Sequence, residues 1–402
     1  MTTAGIIVEY NPLHMGHAHL LSETRRLLGE DCAIICVMSG DFVQRGDFAL
    51  LRRSARAKAA VESGADLVLE LPLPWAVASA ERFAEGGVQT LLATGLVTHL
   101  AFGSECGDAA ALREVAQCLL SPVYDAGLRR FLGEGLSYAA CRQAVVSALL
   151  DPERAALLES PNNTLGIEYC KALLRHESAV VPLTIPRAGA GHDAREVENG
   201  FASGSAIRQL LWTGQRDKAL SLMAPAMKRA YLAEEAAGRA PVFAETSERA
   251  ILAKLRSMSR EDFAALDEGR EGLYNRLYDA SRTAVSVEEL LQTAKTKRYA
   301  YARLRRMVLW AYLGLRPSEF PDKPAYLRPL AANAAGRALL ARMRKKSSLP
   351  ILTKPADVRR LDQAAQALFT QEAHAADLYS LGYPDLTAAA PGALWTKGIT
   401  LL

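Results

Sequence analysis

Four short, almost uninterrupted apolar runs limit what this chain can fold into: Gly5-Ile6-Ile7-Val8-Glu9, Cys32-Ala33-Ile34-Ile35-Cys36-Val37-Met38, Asp66-Leu67-Val68-Leu69-Glu70-Leu71 and His99-Leu100-Ala101-Phe102-Gly103. A strand that is apolar on both faces must be covered on both, which is the condition of a parallel sheet between two helical layers. The stretches between the runs, such as Leu51 to Ser63 and Ala78 to Thr94, have the spacing of amphipathic helices. Repeated strand-helix-strand units predict a doubly wound α/β fold with a mostly parallel sheet and ligands at the carboxyl ends of its strands. A fifth strand is expected at Ala179 to Ile185, after a helical excursion through about residues 109 to 175. Ser203-Gly204-Ser205 then reads as the cap of a helix with Ile207 and Leu210 on its inward side.

Beyond about residue 215 the strand signals fade and helix formers dominate, with breaks at Pro241, Pro317, Pro321, Pro324 and Pro350. The expected division is an α/β domain over 1–215 and a mainly helical one over 216–402, with no Gly/Ser/Pro linker between them. Half of the 402 residues are hydrophobic and 23% are charged, a balance that excludes a disordered chain. No apolar run approaches the roughly 18 to 20 residues of a membrane span, so no membrane partner is expected. Residues 1 to 9 lack a basic n-region and a cleavage site, and the expected location is cytoplasmic. The six cysteines form no CxxC pair and read as reduced, mostly buried thiols.

The sharpest chemical signal is Glu9-Tyr10-Asn11-Pro12-Leu13-His14-Met15-Gly16-His17, which follows the first strand and opens the first helix. His14 and His17, three residues apart, can face one ligand, and Gly16 removes bulk where a phosphate approaches the backbone. Free N–H groups at the helix start are expected to add anion affinity. In-line attack on an α-phosphate needs positioning and charge stabilisation, which two imidazoles supply as donors. Three of the chain's seven histidines (His14, His17, His19) fall here, which favours nucleotide binding over a pair of surface histidines. No metal site is expected, because the cysteines and other histidines offer no companion ligands at zinc spacing. P-loop, dinucleotide and nucleophile-elbow patterns are all missing from the sequence.

A second signal is Ser203-Gly204-Ser205-Ala206-Ile207-Arg208, where hydroxyls, helix-start amides and an arginine suit terminal phosphates. Ser39 to Gly46 and Gly103-Ser104-Glu105 follow predicted strands and should open onto the same crevice. Asp41 and Glu105 there read as metal ligands or, more simply, as partners of loop amides. From Gln292 to Lys346 fourteen basic residues face only Glu319 and Asp322, which asks for a polyanionic partner. Tyr299, Tyr301, Trp310 and Tyr326 are interleaved and suit stacking on unpaired bases, although the apolar run around Trp310 favours packing there.

Taken jointly, Gly5 to His17, Met38 to Gly46, Gly64 to Pro72, Phe102-Gly103-Ser104-Glu105, Pro161-Asn162-Asn163, Ser205-Ala206-Ile207-Arg208 and Thr296-Lys297-Arg298-Tyr299 resemble the tRNA(Met) cytidine acetate ligase family. The resemblance covers nearly the whole chain. It implies a nucleotidyltransferase-like catalytic domain over 1–215 and a basic, tRNA-binding helical domain over 216–402. It implies activation of acetate by ATP with Mg2+ to acetyl-adenylate, then acetyl transfer to N4 of the wobble cytidine of elongator tRNA(Met). Carried onto this sequence, the catalytic residues are His14, His17 and Arg208. The ATP contacts are Ile7, Val8, Glu9, Tyr10, Asn11, Pro12, Leu13, His14, Met15, Gly16, His17, Ala18, His19 and Leu20, with Gly103, Asn162, Arg187 and Ser205. Neither the resemblance nor the spacing separates Asn162 from Asn163. The basic stretch supplies Lys295, Lys297, Arg298, Arg303, Arg305 and Arg306 as tRNA contacts. Leu13, Met15 and Gly204 stand where the family has Phe, Asn and Ala, which bears on local geometry. Two other readings share parts of this pattern: a small-molecule adenylyltransferase, and a non-catalytic RNA-binding protein.

Overall fold

A computed structural model describes residues 2–132, 138–186, 202–266, 268–269, 272–296 and 299–402. Its strands are β1 (Thr3–Val8), β2 (Ala33–Ser39), β3 (Phe42–Val43), β4 (Asp47–Phe48), β5 (Leu67–Leu71), β6 (His99–Ser104), β7 (Val181–Pro186), β8 (Pro329–Ala332) and β9 (Thr400–Leu401). Seven of them form one sheet in the order β7-β6-β1-β2-β5-β8-β9, and β3 pairs with β4 in a separate hairpin. From β7 to β5 every pairing is parallel, with Ile6 opposite Cys36 and Ile35 opposite Leu67. The five strands expected from apolar runs are all present.

Alternation along these strands builds two cores. Ile7, Ile35, Val37, Leu67 and Leu69 point into one layer. Ala4, Ile6, Val8, Ile34, Cys36, Met38 and Val68 point into the other. Helix α1 (Met15–Leu28) returns the chain from β1 to β2, and α2 (Arg53–Glu62) leads into β5. The chain winds outward from β1 in both directions, so strand order reverses beside β1 and leaves a crevice at the carboxyl ends of β1 and β6.

The mainly helical part after residue 216 differs from expectation in one respect, since it returns two strands to the sheet. β8 runs antiparallel to β5, and β9 runs parallel to β8. A third core joins the β3–β4 hairpin to this part: Phe42 packs edge-on to Tyr379, and Phe48 stacks on Tyr312. Arg56, fully buried, donates to the carbonyls of Glu9, Ser39 and Gly40 and pins together the ends of β1 and β2.

Candidate active site at the carboxyl edge of the sheet

At the end of β1 the chain turns sharply. Tyr10 takes a left-handed backbone, φ 50°, which a bulky residue holds only where its surroundings fix it. Its buried ring meets the edge of His17 at 5.1 Å between centroids. Asn11 Oδ1 accepts from the amide of Leu50 at 2.7 Å and from Arg208 Nη1 at 3.3 Å, tying the turn to β4 and to the helix Gly204–Trp212.

His14 is the N-cap of α1. Its Nδ1 accepts the Gly16 N–H at 3.1 Å, and His17 Nδ1 accepts the His14 N–H at 3.4 Å, a reciprocal capping box built from two imidazoles. The rings stack with centroids 3.8 Å apart. A nitrogen that accepts carries no proton, so in the neutral rings the proton sits on Nε2 of each. This corrects the expectation of free amides at the helix start: Gly16 N–H goes to a ring, and His17 N–H goes to the His14 carbonyl at 3.0 Å.

These residues open onto a cavity of about 300 Å³. Ile7, Val8, Glu9, Tyr10, Asn11, His14, Gly16, His17, His19, Leu20, Gly103, Asn162, Ser205 and Arg208 all line it, so segments separated by nearly two hundred residues meet where the sequence placed a nucleotide. Pro12, Leu13, Met15 and Ala18 do not: Leu13 is fully buried in the second core, Ala18 packs against that core, and Met15 is exposed. Arg187 lies outside the described residues.

The cavity separates Asn162 from Asn163. Asn162 lines the wall, whereas Asn163 is buried and its Oδ1 accepts the amides of Glu105 at 3.0 Å and Cys106 at 3.1 Å. Glu105 answers by accepting from the Asn162 side chain at 2.6 Å and from the Asn163 amide at 2.8 Å, which caps the helix Pro161–Arg175. Asp41 is likewise a structural carboxylate. It is buried and takes three hydrogen bonds from Arg53 at 2.5 to 2.8 Å. Arg53 passes on to Glu70 at 2.6 Å, and Glu70 to Arg328 at 2.5 Å. This ion chain borders a second cavity of about 300 Å³ at the ends of β2 and β5, apart from the histidines.

Around the first cavity the hairpin contributes Val43, Gln44, Arg45 and Asp47, and the walls add Phe102, Tyr169 and Ile185. Glu9 accepts the Gln44 amide at 2.6 Å, and burial pushes its carboxyl above the usual range against the pull of that bond and of Arg45 and Arg56. Ser203 is the N-cap of its helix, accepting from Ala206, and leaves Ser205 as the hydroxyl on the cavity. A Cβ on Gly204 would stand 2.8 Å from the Asn11 carbonyl, so glycine lets this helix start touch the histidine turn. Tyr169 stands seven residues after Asn162, two helical turns on the same face, a spacing that would have revealed it.

Part of the basic stretch is committed to contacts within the chain, while Arg337, Arg344, Lys345 and Lys346 are exposed on the helix Ala334–Lys346. Arg306 is buried and holds Glu268 through two bonds of 2.7 Å. Arg303 donates to the Glu268 carbonyl at 2.8 and 3.0 Å, and Lys295 to the carbonyls of Thr296 and Tyr299. Arg305 lines the cavity beside the histidine turn. Lys297 and Arg298 lie outside the described residues. Tyr299, Trp310 and Tyr326 are buried and so are not stacking platforms, while Tyr301 hydrogen-bonds Glu288 at 2.6 Å.

Three comparisons agree with this geometry. The family described as HIGH Nucleotidyl Transferase matches residues 1–391. The tRNA(Met) cytidine acetate ligase of Acetivibrio thermocellus is 36% identical, covering 100% of both chains, and that of Syntrophomonas wolfei is 35% identical over 96% of each. The apo crystal structure of Thermotoga maritima TmcAL superposes with a TM-score of 0.96 at 30% identity, covering 100% of both chains. The same protein bound with alpha-thio ATP gives 0.94 at 31% identity, covering 100% of this chain and 99% of that one. With its histidine turn and the helix Gly204–Trp212 at one cavity, the chain belongs to the tRNA(Met) cytidine acetate ligase family of HIGH nucleotidyl transferases.

Proposed function

We propose that this protein is an ATP-dependent ligase that forms N4-acetylcytidine at the wobble position of elongator tRNA(Met). The observation that carries the reading is the convergence of His14, His17, Gly103, Asn162, Ser205 and Arg208 on one cavity, in a chain whose relatives bear that name from end to end. ATP, arriving as its magnesium complex, lies with its α-phosphate over the stacked imidazoles and its outer phosphates toward Ser205 and Arg208. Bound magnesium would offset charge on the phosphates and would be held mainly by them and by water. That suits a cavity whose nearest carboxylates, Glu9 and Asp47, already bond the Gln44 amide and Arg208.

An acetate oxygen attacks the α-phosphorus, the bond to the β-phosphate bridging oxygen breaks, and pyrophosphate leaves. Nε2–H of His14 and His17 donates to the oxygens on which charge builds. The cytidine N4 amine then attacks the acetyl carbonyl of the mixed anhydride, AMP departs, and the amine loses a proton. The basic stretch from Gln292 to Lys346 is the part of the chain on which tRNA is expected to bind.

The test incubates purified protein with ATP, magnesium, acetate and bulk tRNA, then digests the RNA and seeks N4-acetylcytidine by mass spectrometry. Modified nucleoside that requires both ATP and acetate is the expected result. AMP without modified RNA would instead indicate a small-molecule adenylyltransferase, and neither product would indicate a binding protein.

A further inference from the structure

Arg305 belongs by sequence to the basic stretch, yet it lines the nucleotide cavity together with Arg208. Asp47 lies between the two, 3.1 Å from Arg208 Nη2 and 3.7 Å from Arg305 Nη2. The two guanidiniums come from parts of the chain almost a hundred residues apart, one from the phosphate helix and one from the helix Tyr301–Leu313.

The placement of Arg305 is firm. Gly46, at the tip of the hairpin with φ 75°, sits so close to that helix that a Cβ would lie 2.5 Å from the Arg305 carbonyl carbon and the Arg306 nitrogen. Arg306, the next residue, is locked to Glu268 and also reaches the Gln44 carbonyl at 3.4 Å. The other face of the helix is core, through Leu304, Val308 and Trp310, and Trp310 Nε1 donates to the Val77 carbonyl at 2.8 Å. Hairpin and helix therefore form one packed piece.

Two like charges facing the same cavity repel, and Asp47 lies between them, with Glu288 beside Arg305 as a further carboxylate. A triphosphate carries several charges, and paired guanidiniums bind phosphate through parallel N–H···O bonds. We infer that Arg305 binds the outer phosphates of ATP together with Arg208, and that Asp47 holds the two guanidiniums in register until the phosphates arrive. This rests on the ATP-using reading above. It makes the helical part a contributor to acetate activation itself as well as to tRNA binding.

The experiment measures acetate-dependent ATP–pyrophosphate exchange without tRNA, alongside filter binding of tRNA, for wild type, Arg305→Ala, Arg305→Lys and Asp47→Asn. Circular dichroism checks that each variant is folded. Loss of a charge-assisted phosphate contact should lower kcat/KM for ATP about tenfold or more in Arg305→Ala, mostly through KM, with partial recovery in Arg305→Lys. Asp47→Asn should raise KM for ATP by a smaller factor, and tRNA affinity should stay within about twofold of wild type in all three. Exchange kinetics unchanged in Arg305→Ala, with or without a loss of tRNA affinity, would overturn the assignment. Should wild type itself show no exchange, the ligase reading fails. Calorimetric titration with a non-hydrolysable ATP analogue then decides the role of Arg305, and equal affinity in wild type and Arg305→Ala would refute it. If Arg305→Ala does not fold, Arg305→Gln takes its place in the same comparison.

Discussion

His14 and His17 lie ring on ring, 27° from parallel, and each spends its Nδ1 on a backbone amide of the turn they share. One pair of side chains thus closes the helix through Nδ1, while the chemistry proposed above uses Nε2–H, so the two roles separate by atom.

That separation is testable at His17. The Asn side chain has an acceptor close to where Nδ1 sits but nothing at the position of Nε2. His17→Asn should keep the cap and unfold near the wild-type temperature, while acetate-dependent pyrophosphate exchange falls about 10²- to 10³-fold, the usual cost of one transition-state donor. His17→Ala should lose the same activity and in addition about 1 kcal/mol of stability with the cap. Exchange at the wild-type rate in either variant would remove His17 from the chemistry.

The two adjacent asparagines should fail in different ways. Asn163→Ala leaves the amides of Glu105 and Cys106 without their acceptor and should cost about 1–3 kcal/mol in urea unfolding, with near-normal exchange in the folded protein. Asn162→Ala touches the cavity wall and should raise KM for ATP with little change in the unfolding midpoint. The reverse pattern would mean that the assignments are exchanged.

Asp41 sets a pH dependence. Burial alone would raise its carboxyl, but the charge and hydrogen bonds of Arg53 outweigh burial and hold it below its ordinary value of 3.8. A carboxyl depressed in the folded state stabilises fully above the unfolded value and less as pH falls through the folded one. Asp41→Asn should therefore cost about 3 kcal/mol at neutral pH, where it breaks a buried pair. The gap between variant and wild type in urea midpoint should close as pH drops below 3.8. A gap that widens in acid would contradict this account.

The strands β1, β2, β5 and β6 were legible because each carries its own burial signal, apolar on both faces, whereas the edge strand β7 is largely exposed or half-buried. β8 was not legible: Pro329-Leu330-Ala331-Ala332 has no β-branched residue and becomes a strand only by pairing with the edge of β5. The histidine turn, Gly103, Asn162 and Arg208 stood out because they sit at strand ends and helix starts, positions that chain order alone locates. Although residues 39 to 46 were placed at the crevice, the lip of Gln44, Arg45 and Asp47 depends on Phe42 and Phe48 docking among tyrosines some three hundred residues later. Counting charges between residues 292 and 346 missed the internal use of some of them for a related reason. Glu268, which binds Arg303 and Arg306, lies outside that window and meets it only in the fold.

The return of β8 to the sheet also sets a timetable. Between Leu71 and Ala332 the ribosome must add 261 residues, 332 minus 71, before the outer edge of β5 finds its partner. At about 5–20 residues per second that edge waits roughly 13 to 52 seconds, far longer than hairpins or helices take to form. An unpaired edge is a template for other chains. Folding yield in the cell should thus depend on translation speed across the helical half, and codons that slow that half should raise aggregation without altering one residue of the enzyme.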